Sequence, residues 1–209
     1  MLVAFVLAVS SATGTEADRM IPTLVLVVLL VLVIGYLVGI YNGLVRVRAD
    51  VKLAWSNIDV LLVQRHDELP KLVETCKQYL QYEQQTLERV MQARSAVAAA
   101  RSSGSVAALG AAESGMRTGL AGLFAVAENY PDLKANQAFQ HLQLRITGLE
   151  QAISDRREIY NEAVNINNVR IAAFPDVLLA TRYDFEPAHL LKFDSSQKTD
   201  VDMKAAFAG

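Results

Sequence analysis

Six polar residues stand where a packed helix would ordinarily carry apolar side chains: Arg65, Glu83, Arg94, Glu113, Arg156 and Asn167. Each falls in step with a row of apolar residues spaced three and four apart, so its stem points with that row toward neighbouring helices. An arginine cannot shed its charge to escape desolvation, so opposite charges in such a row are expected to pair internally and fix register. Arg156 is the clearest case, with Glu83, Glu113 and Asp59 as the carboxylates open to it. A solvated rim and a groove for a ligand or partner are the other two readings of these residues.

Catalytic chemistry finds less to work with. There is no His-Glu-x-x-His pair, glycine-rich phosphate loop or nucleophile elbow. His66, His141 and His189 are far apart in the chain, and none belongs to a Glu-x-x-His pair of the kind that holds metals in helical bundles. Cys76 is the single cysteine, which excludes an internal disulfide, and its nearest histidine is His66, ten residues away. It reads as a small core residue rather than a nucleophile. Trp55 reads as a core or near-core ring whose indole N–H needs an acceptor. No enzyme activity, metal or cofactor is expected. Nor is nucleic-acid binding, since 20 Lys+Arg stand against 22 Asp+Glu without a basic excess.

The elements that position these residues are helices. Leu44, Val47, Val51, Ala54, Ile58 and Leu61 form one row, with Arg65 next in step. A second row runs Leu69, Val73, Cys76, Leu80, Glu83, Leu87, Val90, Arg94, Val97. A third, over 105–130, takes Val106, Leu109, Glu113, Met116, Leu120, Leu123, Ala127 and Tyr130. The last starts near Asn136 as cap and presents Phe139, Leu142, Ile146, Leu149, Ile153, Arg156, Tyr160, Ala163 and Asn167. Gly110, Gly115, Gly119 and Gly122 lower helix propensity but permit close helix contact.

Breaks are expected near Asp67–Pro70, Arg101–Gly104 and Pro131–Asn136, because proline removes a backbone donor and clashes with the preceding turn. At Pro70 a tight hairpin is favoured over one long kinked helix. Phe174–Pro175 stops the last long helix, and a short helix over 176–182 and an irregular tail over 183–209 follow. Four such stretches with short connections predict an all-α fold, an antiparallel four-helix bundle over 42–182.

Ile21 to Tyr41 carries no charge. At ~1.5 Å per residue this run spans ~31 Å, enough to cross a bilayer as a single transmembrane helix. Asn42 and Gly43 are too little to form a loop, so it should continue into the first row. Arg46, Arg48 and Lys52 follow it, whereas Arg19 stands alone before it beside Glu16 and Asp18. The positive-inside rule then predicts a cytoplasmic helical domain and a short N-terminus outside. Residues 1–20 read as that short end or as an upstream extension. With 52% hydrophobic and 20% charged residues, the chain is too apolar for disorder and too charged for a polytopic protein.

The motifs form a recognisable series. Ile40-Tyr41-Asn42-Gly43-Leu44-Val45 and Ala54-Trp55-Ser56-Asn57-Ile58-Asp59-Val60 are followed by the run from Gln64 to Thr75. Then come Tyr82-Glu83 through Ala93-Arg94, Leu123 through Asn136, Arg156-Arg157-Glu158-Ile159-Tyr160-Asn161, and Phe174-Pro175. In order and spacing the series resembles the LemA family over roughly 21–185. His66 and Glu68 depart from that family's usual tyrosine and apolar residue, and Tyr82 stands where histidine is common. The resemblance implies an N-terminal membrane anchor with a helical domain inside the cell, and no reaction. The expected function is therefore a scaffold or protein-interaction module at the bacterial inner membrane, with the lipid bilayer and a protein as partners. A small-ligand sensor and a regulatory partner of a membrane enzyme are the alternatives.

Overall fold

A computed structural model describes residues 16–193, with side chains from Met20 onward. The expectations for residues 1–15, and for the tail beyond Phe193, lie outside the described residues. Among these there is no strand. Six helices follow one another: α1 (Glu16–Lys77), α2 (Gln84–Ser103), α3 (Val106–Ala127), the short α4 (Pro131–Ala135), α5 (Gln137–Ala172) and α6 (Asp176–Arg182).

The apolar run and the first soluble row are one helix, as Asn42-Gly43 implied. The hairpin expected at Asp67–Pro70 is absent, and α1 continues through Pro70 to Lys77. The first reversal comes instead at residues 78–83. The break after Ser103 is where it was expected, with Gly104 in the left-handed region at φ 68° and Ser105 accepting from the Ala108 amide as N-cap. Pro131 opens α4 at its first position, and Asn136 caps α5 through its side chain, accepting from the amides of Ala138 and Phe139.

The chain falls into two compact units, each fed by both α1 and α5. One joins the described residues up to Arg48 to Val169–Glu186, and the other joins Ala49–Asn168 to the described residues from Pro187 to Phe193. In the first, α1 is long and apolar enough to cross a membrane, and almost none of that stretch is covered by protein. Its buried cluster is small: Ile40, Leu44, Ile171 and Ala180, with Leu179 and Phe185 packed against it.

In the second unit, four helical stretches share one core. It takes Ile58, Leu62, Leu69 and Cys76 from α1, Leu87, Val90 and Val97 from α2, and Leu109, Met116, Leu120 and Leu123 from α3. Phe139, Ile146, Ile153 and Tyr160 come from α5. The row on α3 is buried in the register its spacing implied, Glu113 included. The chain after α6 also returns to this core. Leu191 is buried within it, so 187–193 packs with the helices rather than apart from them.

Candidate functional site

Arg65 lies on the inward face of α1 between Leu62 and Leu69, and the same 3–4 spacing that buries those leucines buries its guanidinium, 1% exposed. Glu113 enters from α3 at the position its own row dictates, also 1% exposed. The two form a bidentate pair: Arg65 Nη1 donates to Glu113 Oε2 at 2.9 Å, and Nη2 donates to Glu113 Oε1. Arg65 Nη1 also donates to Glu150 Oε1, on α5, at 2.5 Å. One cation thus joins three helices and serves two carboxylates.

Burial opposes the charge on both sides of this pair. For Arg65 it would lower the pKa, but the hydrogen bonds and charges of Glu113 and Glu150 outweigh it and hold the guanidinium above its ordinary value. Burial pushes the Glu113 carboxyl up. The bonds and charge of Arg65 pull the other way without cancelling the rise, and the charge of Glu150 adds to it.

A second polar layer borders this cluster. Glu68 is buried and takes Arg145 Nε at 3.0 Å and Lys71 Nζ at 3.3 Å. Asp59 pairs with Arg101, whose Nη2 donates to Oδ2 at 3.3 Å. Arg94 donates from Nε to the backbone carbonyl of His66 at 3.0 Å. Burial lowers the His66 pKa, and the charge of Arg94 adds to the drop.

Three of the six seam residues sit differently from expectation: besides Arg156 and Glu83, Arg94 is half-buried and bonds a backbone carbonyl instead of a carboxylate. Arg156 is exposed, and its neighbour Arg157 is the half-buried one, its guanidinium 4.3 Å from the Phe193 ring centre. Between Ile153 and Tyr160 a helix can place either residue near the stripe, one on each flank, and packing selects 157. Glu83 is only half-buried. It forms the N-cap of α2, its carbonyl accepting from the Thr86 amide at 3.0 Å. Asn167 is buried and donates to Asn168 Oδ1 at 3.2 Å. Trp55 is half-buried against Tyr160, ring centres 5.4 Å apart. Cys76 is buried, which pushes its thiol up to about 12.

A feature that the spacing did not disclose is the seating of residues 188–193. Asn168 donates from Nδ2 to the Ala188 carbonyl and accepts from the Ala188 amide, both at 2.9 Å. Asn161 does the same for Leu191, donating at 3.1 Å and accepting at 2.8 Å. Seven helical residues rise ~10.5 Å, about the length of three extended residues, so the two amides match an extended segment held at positions 188 and 191. Tyr160 Oη donates to the His189 carbonyl at 2.9 Å. At Gly110 a Cβ would lie 2.1 Å from the Lys192 carbonyl oxygen, so this glycine makes room for backbone. Two asparagines seven apart on a helix were the available signal.

The geometry is that of an all-helical protein with one bare apolar helix and a buried Arg65–Glu113–Glu150 cluster paired within the chain. The sequence model of the LemA family matches residues 54–205, nearly three quarters of the chain, and extends through the seated tail rather than stopping near 185. The chain belongs to the LemA family. Among curated proteins it is similar to magnetosome proteins MamQ 1 and MamQ 2 of Paramagnetospirillum magneticum. Each is 30% identical over 94 residues, which cover 45% of this chain and 35% of the relative. The chain thus matches about a third of the length of these relatives.

Proposed function

We propose that this protein is a membrane-anchored scaffold or protein-interaction module of the bacterial inner membrane. The observation that carries the reading is the bare apolar stretch of α1, which continues without interruption into a helix whose later turns are buried core. Apolar surface of that extent does not stay in water, and a helix satisfies its own backbone in lipid. The basic side chains Arg46, Arg48 and Lys52 after the stretch support a cytoplasmic domain with a short N-terminus outside. The short turns at 78–83 and 104–105, with one shared core, support an antiparallel four-helix bundle.

A scaffold is favoured over a ligand sensor because Arg65, the largest fully buried side chain, is bonded by Glu113 and Glu150 of its own chain. No reaction is assigned. A reporter that is active only outside the cytoplasm, fused after Phe185, should be silent, and strong activity there overturns the orientation. Affinity capture from detergent-solubilised membranes, with mass spectrometry, tests the rest. A stoichiometric protein partner is expected, whereas a chain isolated alone with a tightly held small molecule makes it a sensor.

A further inference from the structure

The end of the apolar stretch has company. Within its own unit, α5 ends beside α1 with the Arg170 guanidinium laid over Gly43, where a Cβ would lie 2.0 Å from Nη2. Arg170 is held there by Asp176, Nε to Oδ2 at 2.9 Å, while Ile171 and Ala180 bury themselves against Ile40 and Leu44. The chain turns at Phe174–Pro175 into α6, and the segment after it returns to Tyr41. The Tyr183 ring centre is 5.1 Å from that of Tyr41, and the Phe185 ring centre is 6.0 Å away.

All of these α1 contacts fall between Ile40 and Leu44, and the apolar run read as the span ends at Tyr41, five residues before the first charge at Arg46. At ~1.5 Å per residue the corner sits within ~5 Å of the end of that run along the helix axis. Its surface is unusual for a water-facing one: Val169, Phe174, Leu178 and Tyr183 are 61, 81, 61 and 55% exposed. The charges beside them nearly cancel, with Arg46, Arg48 and Arg182 against Asp184 and Glu186. Arg48 lies 5.7 Å from the Phe185 ring centre and Arg182 lies 6.0 Å from that of Tyr183.

We propose that the corner 169–183 is a second membrane contact, in which Phe174, Leu178 and Tyr183 seat at the headgroup–acyl boundary of the leaflet that α1 leaves. The proposal rests on the reading of 21–41 as a membrane span. Amphipathic rings and short apolar segments favour that boundary, and a position level with the end of a span brings them to it without further movement. A single span leaves tilt and rotation free, and a laterally placed contact fixes both. Because local charge is nearly balanced, apolar burial carries the contact and headgroup attraction adds little.

The full chain in protein-free vesicles of phosphatidylcholine and phosphatidylglycerol tests this. Cys76 is buried and its thiol is pushed up to about 12, so a maleimide dye goes to an introduced cysteine. Phe174→Cys and Leu178→Cys are labelled with an environment-sensitive fluorophore. Ile34→Cys reports the span, and Tyr82→Cys, at a residue 94% exposed, reports water. With nitroxide lipids labelled high on the acyl chain, dyes at 174 and 178 should be quenched severalfold more than at 82. Aqueous iodide should act in the reverse order, and high salt should change neither. If 174 and 178 behave like 82 while 34 is quenched, the second contact is overturned and the anchor stands. If 34 is not quenched either, the anchor reading fails and takes this proposal with it. A protein partner covering the corner would leave 174 and 178 open to iodide in these vesicles, which also overturns it.

Discussion

The backbone carbonyl of His66 accepts a hydrogen bond from Arg94 Nε, 3.0 Å away on the next helix. In an uninterrupted α-helix that carbonyl would accept from the amide of residue 70, but residue 70 is a proline and has none. Arg94 thus supplies the donor that Pro70 withholds, and α1 continues for another turn and more, to Lys77.

The pairing predicts non-additivity. Arg94→Ala should cost about 1–2 kcal/mol, since a part-buried carbonyl with no amide partner loses a charged donor. In a Pro70→Ala background the new amide replaces it, and the same change should cost about 1 kcal/mol less. Urea unfolding of the full chain in detergent, followed by circular dichroism, measures the cycle. Equal costs in both backgrounds would mean that Arg94 acts elsewhere.

The buried pair predicts a different asymmetry. Glu113→Ala leaves Arg65 with Glu150 alone and should destabilise by roughly 3–5 kcal/mol, the usual size for breaking a buried pair from one side. Arg65→Met combined with Glu113→Leu removes both charges, and Glu150, partly exposed, can hydrate itself. The double variant should recover most of the loss. A double variant as unstable as the single would show that the pair contributes through the geometry of its hydrogen bonds, beyond charge balance.

What was legible in the sequence divides along physical lines. The α3 row from Leu109 to Ala127 was readable because a 3–4 period and burial are the same fact seen twice. Pro70 was misread because the rule against proline assumes that the orphaned carbonyl finds no other donor, and Arg94 is 24 residues further on. Arg156 and Arg157 flank the stripe by similar angles, so their sequence positions could not rank them. Packing against Phe193 does. The seating of 188–193 had no period to betray it, because an extended segment held by side-chain amides follows neither helix nor strand patterning.

His66 predicts pH dependence. Its pKa is lowered in the folded protein, mainly by burial and further by Arg94, so the unfolded chain binds the proton more tightly. Stability from this residue is therefore fully present above about 6.5, the ordinary histidine value, and is lost as pH falls through that value toward the lowered one. The difference in urea midpoint between the wild type and His66→Gln should shift against the wild type from pH 7.5 to 5.5. An unchanged difference would mean that His66 titrates alike in both states.

The last prediction concerns the seated segment. Asn161 and Asn168 each satisfy both backbone groups of one residue, at Leu191 and Ala188 respectively. Alanine at either position removes two hydrogen bonds at once, about 1–3 kcal/mol of local stability at about 0.5–1.5 each. The loss should appear first as local opening, because the helices keep their own backbone bonds. Hydrogen exchange at the Ala188 and Leu191 amides should accelerate in both variants, while α2 and α3 exchange as in the wild type. Gly110→Ala reaches the same segment from α3. Its Cβ would meet the Lys192 carbonyl oxygen at 2.1 Å, which is backbone and cannot rotate away, so the segment must lift. If Gly110→Ala leaves exchange at Leu191 unchanged, the segment 188–193 does not lie against α3 in solution. Acceleration in all three variants, with α2 and α3 protected, would establish that one surface of α3 and α5 holds it.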